Sequence, residues 1–407
     1  MQTLWAERFA QRTQRMRSSA VRELLKLTEQ ADVISFAGGL PAPEVFPVER
    51  FADAYASVMA KLGSRALQYS TTEGYRPLRD LIVEHTERYG INIEPENVLI
   101  TNGSQQALDL IGKVFINPGD HIMVESPTYL GALQAWNAYQ AEYITAQTDA
   151  DGYVIESVSK QMRCGPKFVY ALPNFQNPSG ITLSLDRREA LIREADHYGV
   201  PILEDDPYGQ LRYEGEHLPS IVTLDARFQS TNGAQYTGNV IYLSTFSKTL
   251  APGVRLGWIV ASAEVIQRLV QAKQGADLHS STLNQMLAYE VAAGGFLDEH
   301  VKHIRSVYRE RRDTMLSALE RHFPEGVTWT RPKGGLFLWL TFPAHLDAAD
   351  ILQKAVEQKV AFVPGQSFFA DGSGKNTARL NFSNAAPELI EEGIRRLARC
   401  LKTLLAC

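Results

Sequence analysis

The feature that most limits what this chain can fold into is a repeating alternation between residues 98 and 262. Short β-branched apolar runs occur at VLIT (98–101), HIMVES (121–126), EYITA (142–146), FVYAL (168–172), PILED (201–205), VIYLS (240–244) and RLGWIVA (255–261). Between them lie longer stretches, such as SQQALDLIGKVFIN and LDRREALIREADHYG, whose apolar residues recur at three- and four-residue spacing. Nearly continuous apolar strands need cover on both faces, and amphipathic helices supply it. The alternation therefore predicts an α/β fold with a seven-stranded, mostly parallel sheet flanked by helices.

After about residue 300 the pattern changes. Val301, Ile304, Tyr308, Met315 and Leu319 share one face of a long helix, strand candidates follow at GLFLWLTF, AFVP and ARLNFS, and a last helix runs through Ile394, Leu397 and Leu401. This reads as a smaller α+β domain. FAGGLPAPEVFP (36–47) holds too many turn formers for a regular element and bridges an N-terminal helix to the large domain. The expected division is an N-terminal helix and lid segment at 1–50, packing with the small domain, a large domain at 51–290 and a small one at 291–407. A length of 407 residues suits two domains.

Composition narrows the function. Hydrophobic residues at 44% and charged residues at 21% allow a large core, and a net charge of −5 gives no reason to bind nucleic acid or an anionic membrane. The N-terminal MQTLWAERFAQRTQRMR lacks the apolar region of a signal peptide, and no run approaches the roughly 18 residues of a membrane helix. Cys164, Cys400 and Cys407 form neither a disulfide framework nor a metal spacing, which fits a reducing cytoplasm. Small-molecule chemistry is the expectation.

In open α/β sheets ligands bind beyond the carboxyl ends of strands, so Asn102, Asp205 and Thr245 are expected to share a crevice. Four segments could carry chemistry there. Ser247-Lys248-Thr249 places a lysine after a strand with Arg255 downstream; a partly desolvated amine can form a Schiff base, although a lone lysine is usually a surface residue. Thr101-Asn102-Gly103-Ser104-Gln105-Gln106 runs through a glycine into a helix whose start could hold an anion, or could be a plain turn and cap. Leu203-Glu204-Asp205-Asp206-Pro207-Tyr208 ends a strand with three carboxylates: a solvated charge run, a divalent-metal site, or a single inward carboxylate paired with a cation. Side chains alternate across a strand, which weakens the metal option and leaves the single inward carboxylate as the simplest. Pro173-Asn174-Phe175-Gln176-Asn177-Pro178-Ser179-Gly180 is, in isolation, a turn. His300 and His303, with Arg309, Arg311 and Arg312, are expected on solvated helix faces, with no metal.

Taken in order, these segments resemble the class I aminotransferases among fold-type I pyridoxal phosphate (PLP) enzymes. ISFAGGLPAPEVFP, LQYSTTEGYRPLR, TNGSQQALDL, NFQNPSG and RPKGGLFLW are similar to segments of the 2-aminoadipate and kynurenine aminotransferase group. The resemblance implies the PLP-dependent transferase fold and PLP as cofactor. It implies that Lys248 binds the cofactor aldehyde and shuttles the proton of the substrate Cα, that Asp205 pairs with the pyridine nitrogen, and that Asn177 and Tyr208 bond its O3′ oxygen. Tyr129 would stack on the ring, and Gly103, Ser104, Gln105, Thr245, Ser247 and Arg255 would hold the phosphate. Arg379 would grip the substrate α-carboxylate, with Asn177 beside it, and Gly39 and Arg22 would belong to a lid over its side chain. Tyr69 would reach the phosphate of a neighbouring subunit, making a homodimer with shared sites. Ser179 and Thr245 stand where threonine and serine are commoner, and both keep a hydroxyl.

The implied activity is ping-pong transfer of an amino group from an L-amino acid with an acidic, aromatic or branched side chain to a 2-oxo acid such as 2-oxoglutarate. Two alternatives use the same motifs: β-elimination or decarboxylation on the same cofactor, and a PLP-binding sensor like that of some transcription regulators. Only about 14 residues precede the resemblance, which counts against a helix-turn-helix module.

Overall fold

The computed structural model describes residues 3–16, 18, 32–87, 91–229 and 236–405. Its central sheet consists of β1 (Val98–Thr101), β2 (His121–Glu125), β3 (Glu142–Ala146), β4 (Val169–Ala171), β5 (Ile202–Asp205), β6 (Val240–Thr245) and β7 (Gly257–Val260). The spatial order is β1-β7-β6-β5-β4-β2-β3, with β7 antiparallel to both of its neighbours and the other pairs parallel. All seven expected strands are present, within two residues of their expected limits.

Alternation of side chains divides the sheet residues between two cores. On one face Leu99, Val124, Tyr170, Leu203 and Leu243 pack against α1 (Ser104–Phe115), α2 (Leu130–Asn137) and residues of a later helix. On the other, Val98, Met123, Val169, Ile202 and Val240 meet α3 (Leu185–Tyr198) and α4 (Ile221–Phe228). β5 lies at the centre of the order, so Asp205 ends the most enclosed strand.

α5 (Ala263–Asp277) follows the sheet, and α6 (Phe296–His322) leads into a second, antiparallel sheet of β8 (Thr328–Trp329), β9 (Phe337–Thr341), β10 (Val363–Pro364) and β11 (Thr377–Asn381), ordered β8-β9-β11-β10. The AFVP run is divided: Val360–Ala361 pairs in parallel with Ile34–Ser35, while β10 sits at the sheet edge, where Pro364 forfeits no ladder bond. The 36–47 segment is irregular apart from one 3-10 turn at Pro43–Val45.

α6 corrects part of the charge expectation. Arg309 is exposed, but Arg311 and Arg312 are buried rather than solvated. Arg311 pairs with Glu44, and Arg312 pairs with Glu214 and donates to Pro332 O at 2.9 Å. They satisfy acceptors along the seam between this helix and irregular backbone, which an apolar contact would leave unpaired. His303 is exposed as expected, but His300 is buried and stacks on Phe296 at 5.2 Å.

Candidate active site

A cavity of about 630 Å³ opens where the strand ends of the large sheet face β9, β11 and the 36–47 segment. Its walls include Gly39, Ser104, Gln105, Tyr129, Asn177, Asp205, Tyr208, Thr245, Ser247, Lys248, Arg255 and Arg379. Of the residues expected at the site, Gly103 lies immediately behind the wall, Tyr69 is exposed outside it, and Arg22 lies outside the described residues. Asn102 does not face the cavity as expected; its amide is turned to Asp277 at 2.6 Å.

Lys248 follows β6 by three residues, and its Nζ donates to Gly39 O at 2.8 Å. Burial, with the nearby charges of Arg379 and Arg255, lowers its pKa to about 8. Asp205 faces the same cavity from the end of β5. Its Oδ2 accepts the Tyr170 hydroxyl at 2.8 Å, and its Oδ1 is buried without a partner. Burial raises this carboxyl to about 7 against the opposing Tyr170 bond.

The neighbouring carboxylates correct the expectation that only one points inward: Glu204, Asp205 and Asp206 are all buried. Glu204 emerges on the opposite face of the strand, where the N–H groups of Ile221 and Val222 at the start of α4 donate to it at 2.9 and 2.8 Å. Asp206 accepts from Asn174 Nδ2 at 3.0 Å. Alternation turns Asp205 away from Glu204 and Asp206, and the three form no metal cluster among the described residues.

At the far wall Arg379 on β11 is sandwiched between aromatic rings, its guanidinium 4.2 Å from the centroid of Phe337 and 5.0 Å from that of Phe368. It donates to Asn177 Oδ1 at 2.8 Å and Ala37 O at 2.7 Å, and its Nε is buried without a partner. Burial lowers its pKa to about 10. Tyr208 is buried beside Phe337, and burial raises its hydroxyl, with Arg379 and Asn177 opposing.

The third wall is cationic and rich in hydroxyls and amides. Ser247 N and Oγ bond the Thr245 hydroxyl, and Arg255, in left-handed backbone at φ 53°, reaches over Gly103. A Cβ on Gly103 would lie 2.8 Å from Arg255 Nη2, and one on Gly257 would lie 2.9 Å from Ser104 N. These two glycines let the guanidinium and the strand backbone close on the start of α1. Tyr129 projects over Gly131, whose carbonyl accepts Gln105 Nε2 at 2.9 Å.

Sequence reasoning missed Tyr170, Gln134, Leu130, Phe337 and Phe368, all of which contact this machinery or line it. The phenylalanines sit in the apolar runs GLFLW and QSFF, but only tertiary packing brings them to Arg379.

Residues 31–397 match the family model for aminotransferase class I and II. The chain belongs to that family. This aminotransferase is 47% identical over 401 residues to the aromatic-amino-acid aminotransferase 1 of Thermococcus litoralis, covering 97% of this chain and 94% of the relative. It is 46% identical over 405 residues to the 2-aminoadipate transaminase of Thermus thermophilus, covering 99% and 98%. It is also similar to the crystal structure of LysN, the alpha-aminoadipate aminotransferase of Thermus thermophilus, in complex with N-(5'-phosphopyridoxyl)-L-leucine, with a TM-score of 0.92 and 45% identity over 99% of this chain and 100% of that one. The protein is a fold-type I, PLP-dependent aminotransferase, and amino and 2-oxo acids are its class of substrate. The residues fit the cofactor: Asp205 Oδ1 is an acceptor awaiting a donor, and the Gly103–Arg255 contact makes a cup for an anion. No described helix is long and apolar enough to cross a membrane.

Proposed function

We propose that the aminotransferase takes L-amino acids with acidic, aromatic or branched side chains and passes the amino group to a 2-oxo acid such as 2-oxoglutarate in two ping-pong halves. The observation that carries the reading is the convergence on one cavity of a buried amine, Lys248, an unpartnered carboxylate oxygen, Asp205 Oδ1, and a buried guanidinium, Arg379. The breadth of donors is supported by the named substrates of its relatives and by walls that mix apolar Leu40, Leu130 and Phe337 with Gln134.

When bound, PLP supplies an aldehyde that condenses with amines and a ring that accepts electrons. Asp205 Oδ1 would accept the ring N–H and favour the cationic nitrogen, while Tyr170 holds the other oxygen. Asn177 and Tyr208 would bond the ring oxygen, and Tyr129 would cover a ring face. Gly103, Ser104, Gln105, Thr245, Ser247 and Arg255 would receive the phosphate through backbone N–H groups, hydroxyls and a guanidinium. Lys248, lowered to about 8, is available as a neutral amine near neutral pH; it would be the residue that holds the cofactor aldehyde and, when free, the base that takes the proton from the substrate Cα. Arg379 and Asn177 fix the α-carboxylate, which sets the orientation of that Cα–H. The aromatic rings around Arg379 exclude water.

The same reading divides the molecule at 51–290 and 291–407, with the 1–50 segment as a lid. It makes the functional unit a cytoplasmic homodimer. Support for pairing comes from Leu67, Tyr69 and Leu278, large side chains left exposed on one chain, with Tyr69 edge-on to His279 at 5.8 Å.

Initial rates with 2-aminoadipate, kynurenine, leucine and glutamate, each with 2-oxoglutarate, test the substrate reading. Stoichiometric 2-oxo acid without ammonia or carbon dioxide is expected from more than one donor. Turnover of a single donor class would end the claim of breadth.

A further inference from the structure

A charge pair, fully buried on its lysine side and partly buried on its carboxylate side, lies behind the Gly103 turn, and none of the roles above uses it. Lys273, one turn before the last residue of α5, has no exposed side-chain surface. Its Nζ donates to both oxygens of Asp277 at 2.9 Å and to Gln106 Oε1 at 2.7 Å. Asp277 Oδ2 in turn accepts Asn102 Nδ2 and Gln106 Nε2, each at 2.6 Å. Gln106 Oε1 also accepts the backbone N–H of Asn102 at 2.8 Å. One carboxylate thus clamps the two residues that bracket Gly103, Ser104 and Gln105.

The arrangement has a cost in charge and in backbone strain. A carboxylate next to an anion cup opposes the anion, and Lys273 offsets that charge from inside the fold. Burial lowers the Lys273 pKa, and its bond to Asp277 raises it again. Immediately after Asp277 the chain turns through Leu278 at φ 64° and ψ −60°, closed by His279 N donating to Asp277 O at 2.8 Å. A non-glycine residue there is strained, and such strain persists only where surrounding contacts hold it.

We propose that Asp277, charge-balanced by Lys273, is a positioning residue for the cofactor phosphate, holding Asn102 and Gln106 so that the backbone N–H groups at the start of α1 converge on the anion. This rests on the assignment of the 103–105 turn as the phosphate cup. A residue acting only on general stability would affect all ligands of the cavity alike, whereas a cup-positioning residue affects those that carry a phosphate.

The test compares binding of PLP and of pyridoxal, which lacks the phosphate, to the cofactor-stripped full chain by quenching of tryptophan fluorescence. Asp277→Ala and Lys273→Met are expected to weaken PLP by at least about ten-fold and to leave pyridoxal unchanged. Should Asp277→Ala not fold, the smaller change Asp277→Asn is expected to show the same selectivity with a smaller loss. Equal losses for both ligands, or no loss of PLP, would overturn the proposal. Arg255→Met separates the two levels: selective loss of PLP in this variant alone sinks the positioning role, and absence of that selectivity sinks the cup itself.

Discussion

Burial holds the Asp205 carboxyl at about 7 and the Lys248 amine at about 8, so near neutrality both groups are divided between charged and uncharged forms. For Asp205 the folded-state pKa is raised, so its contribution to stability is full below its unfolded pKa and is lost as pH rises through about 7. In the cofactor-free chain, Asp205→Asn is therefore expected to be more stable than the parent in denaturant unfolding at pH 8, by on the order of 2 kcal/mol, and to show no such gain at pH 4. The same variant should lose most of its activity, the pattern of a site residue kept at the expense of stability. Tyr170→Phe removes the hydroxyl that favours the ionised carboxylate. PLP binding to that variant, titrated by absorbance, is expected to fail on acidification at a higher pH than in the parent. Asp205 and Lys248 were legible because one ends a strand and the other closely follows one, each in a distinctive local motif. Tyr170 was not, since its relation to Asp205 depends on its pairing with Leu203, which only strand register reveals.

At the scale of elements, the apolar runs marked the strands of the large sheet because inner strands covered on both faces leave so little room for polar residues; the edge strand β3 is only partly buried. Long polar side chains were the part that local pattern misjudged. Arg311 and Arg312 read as a solvated face, yet α6 packs under irregular backbone whose carbonyls need donors. Arg188 on α3 is a similar case. It is fully buried and donates to Leu183 O at 2.9 Å, Pro219 O at 2.7 Å, Pro173 O at 3.1 Å and Asn174 Oδ1 at 2.7 Å. It ties α3 to the turn that carries Asn177. Arg188→Met leaves these acceptors unpaired, and a loss of about 3 kcal/mol in denaturant unfolding is expected, together with weaker grip on the substrate carboxylate read as a raised KM.

At the scale of the whole molecule, the proposed pair of subunits makes a distinctive prediction. If each site takes Lys248 from one chain and Tyr69 from the other, Lys248→Ala and Tyr69→Phe chains are each impaired alone. A hybrid of the two contains one site with both residues intact. Mixing the variants under conditions that exchange subunits should give activity above the mean of the separate preparations; activity equal to that mean would show unshared sites. The two-sheet plan was readable in the sequence from periodicity alone, whereas the 36–47 segment came to the site only through Gly39 in the family resemblance. Its carbonyls at Ala37 and Gly39 meet Arg379 and Lys248, and backbone acceptors leave no mark on residue identity.

β7 runs against its two neighbours, so its beginning lies at the rim where β6 finishes. Lys248 leaves that rim and Arg255 returns to it, with only a short 3-10 turn at Pro252–Val254 between them. Most other rim loops open into helices and can grow outward. This return is pinned at both ends, by the amine on one side and by the guanidinium over Gly103 on the other. Even a one-residue insertion there would pull the two cations out of step, so among homologous chains this stretch should tolerate changes of letter far better than changes of length.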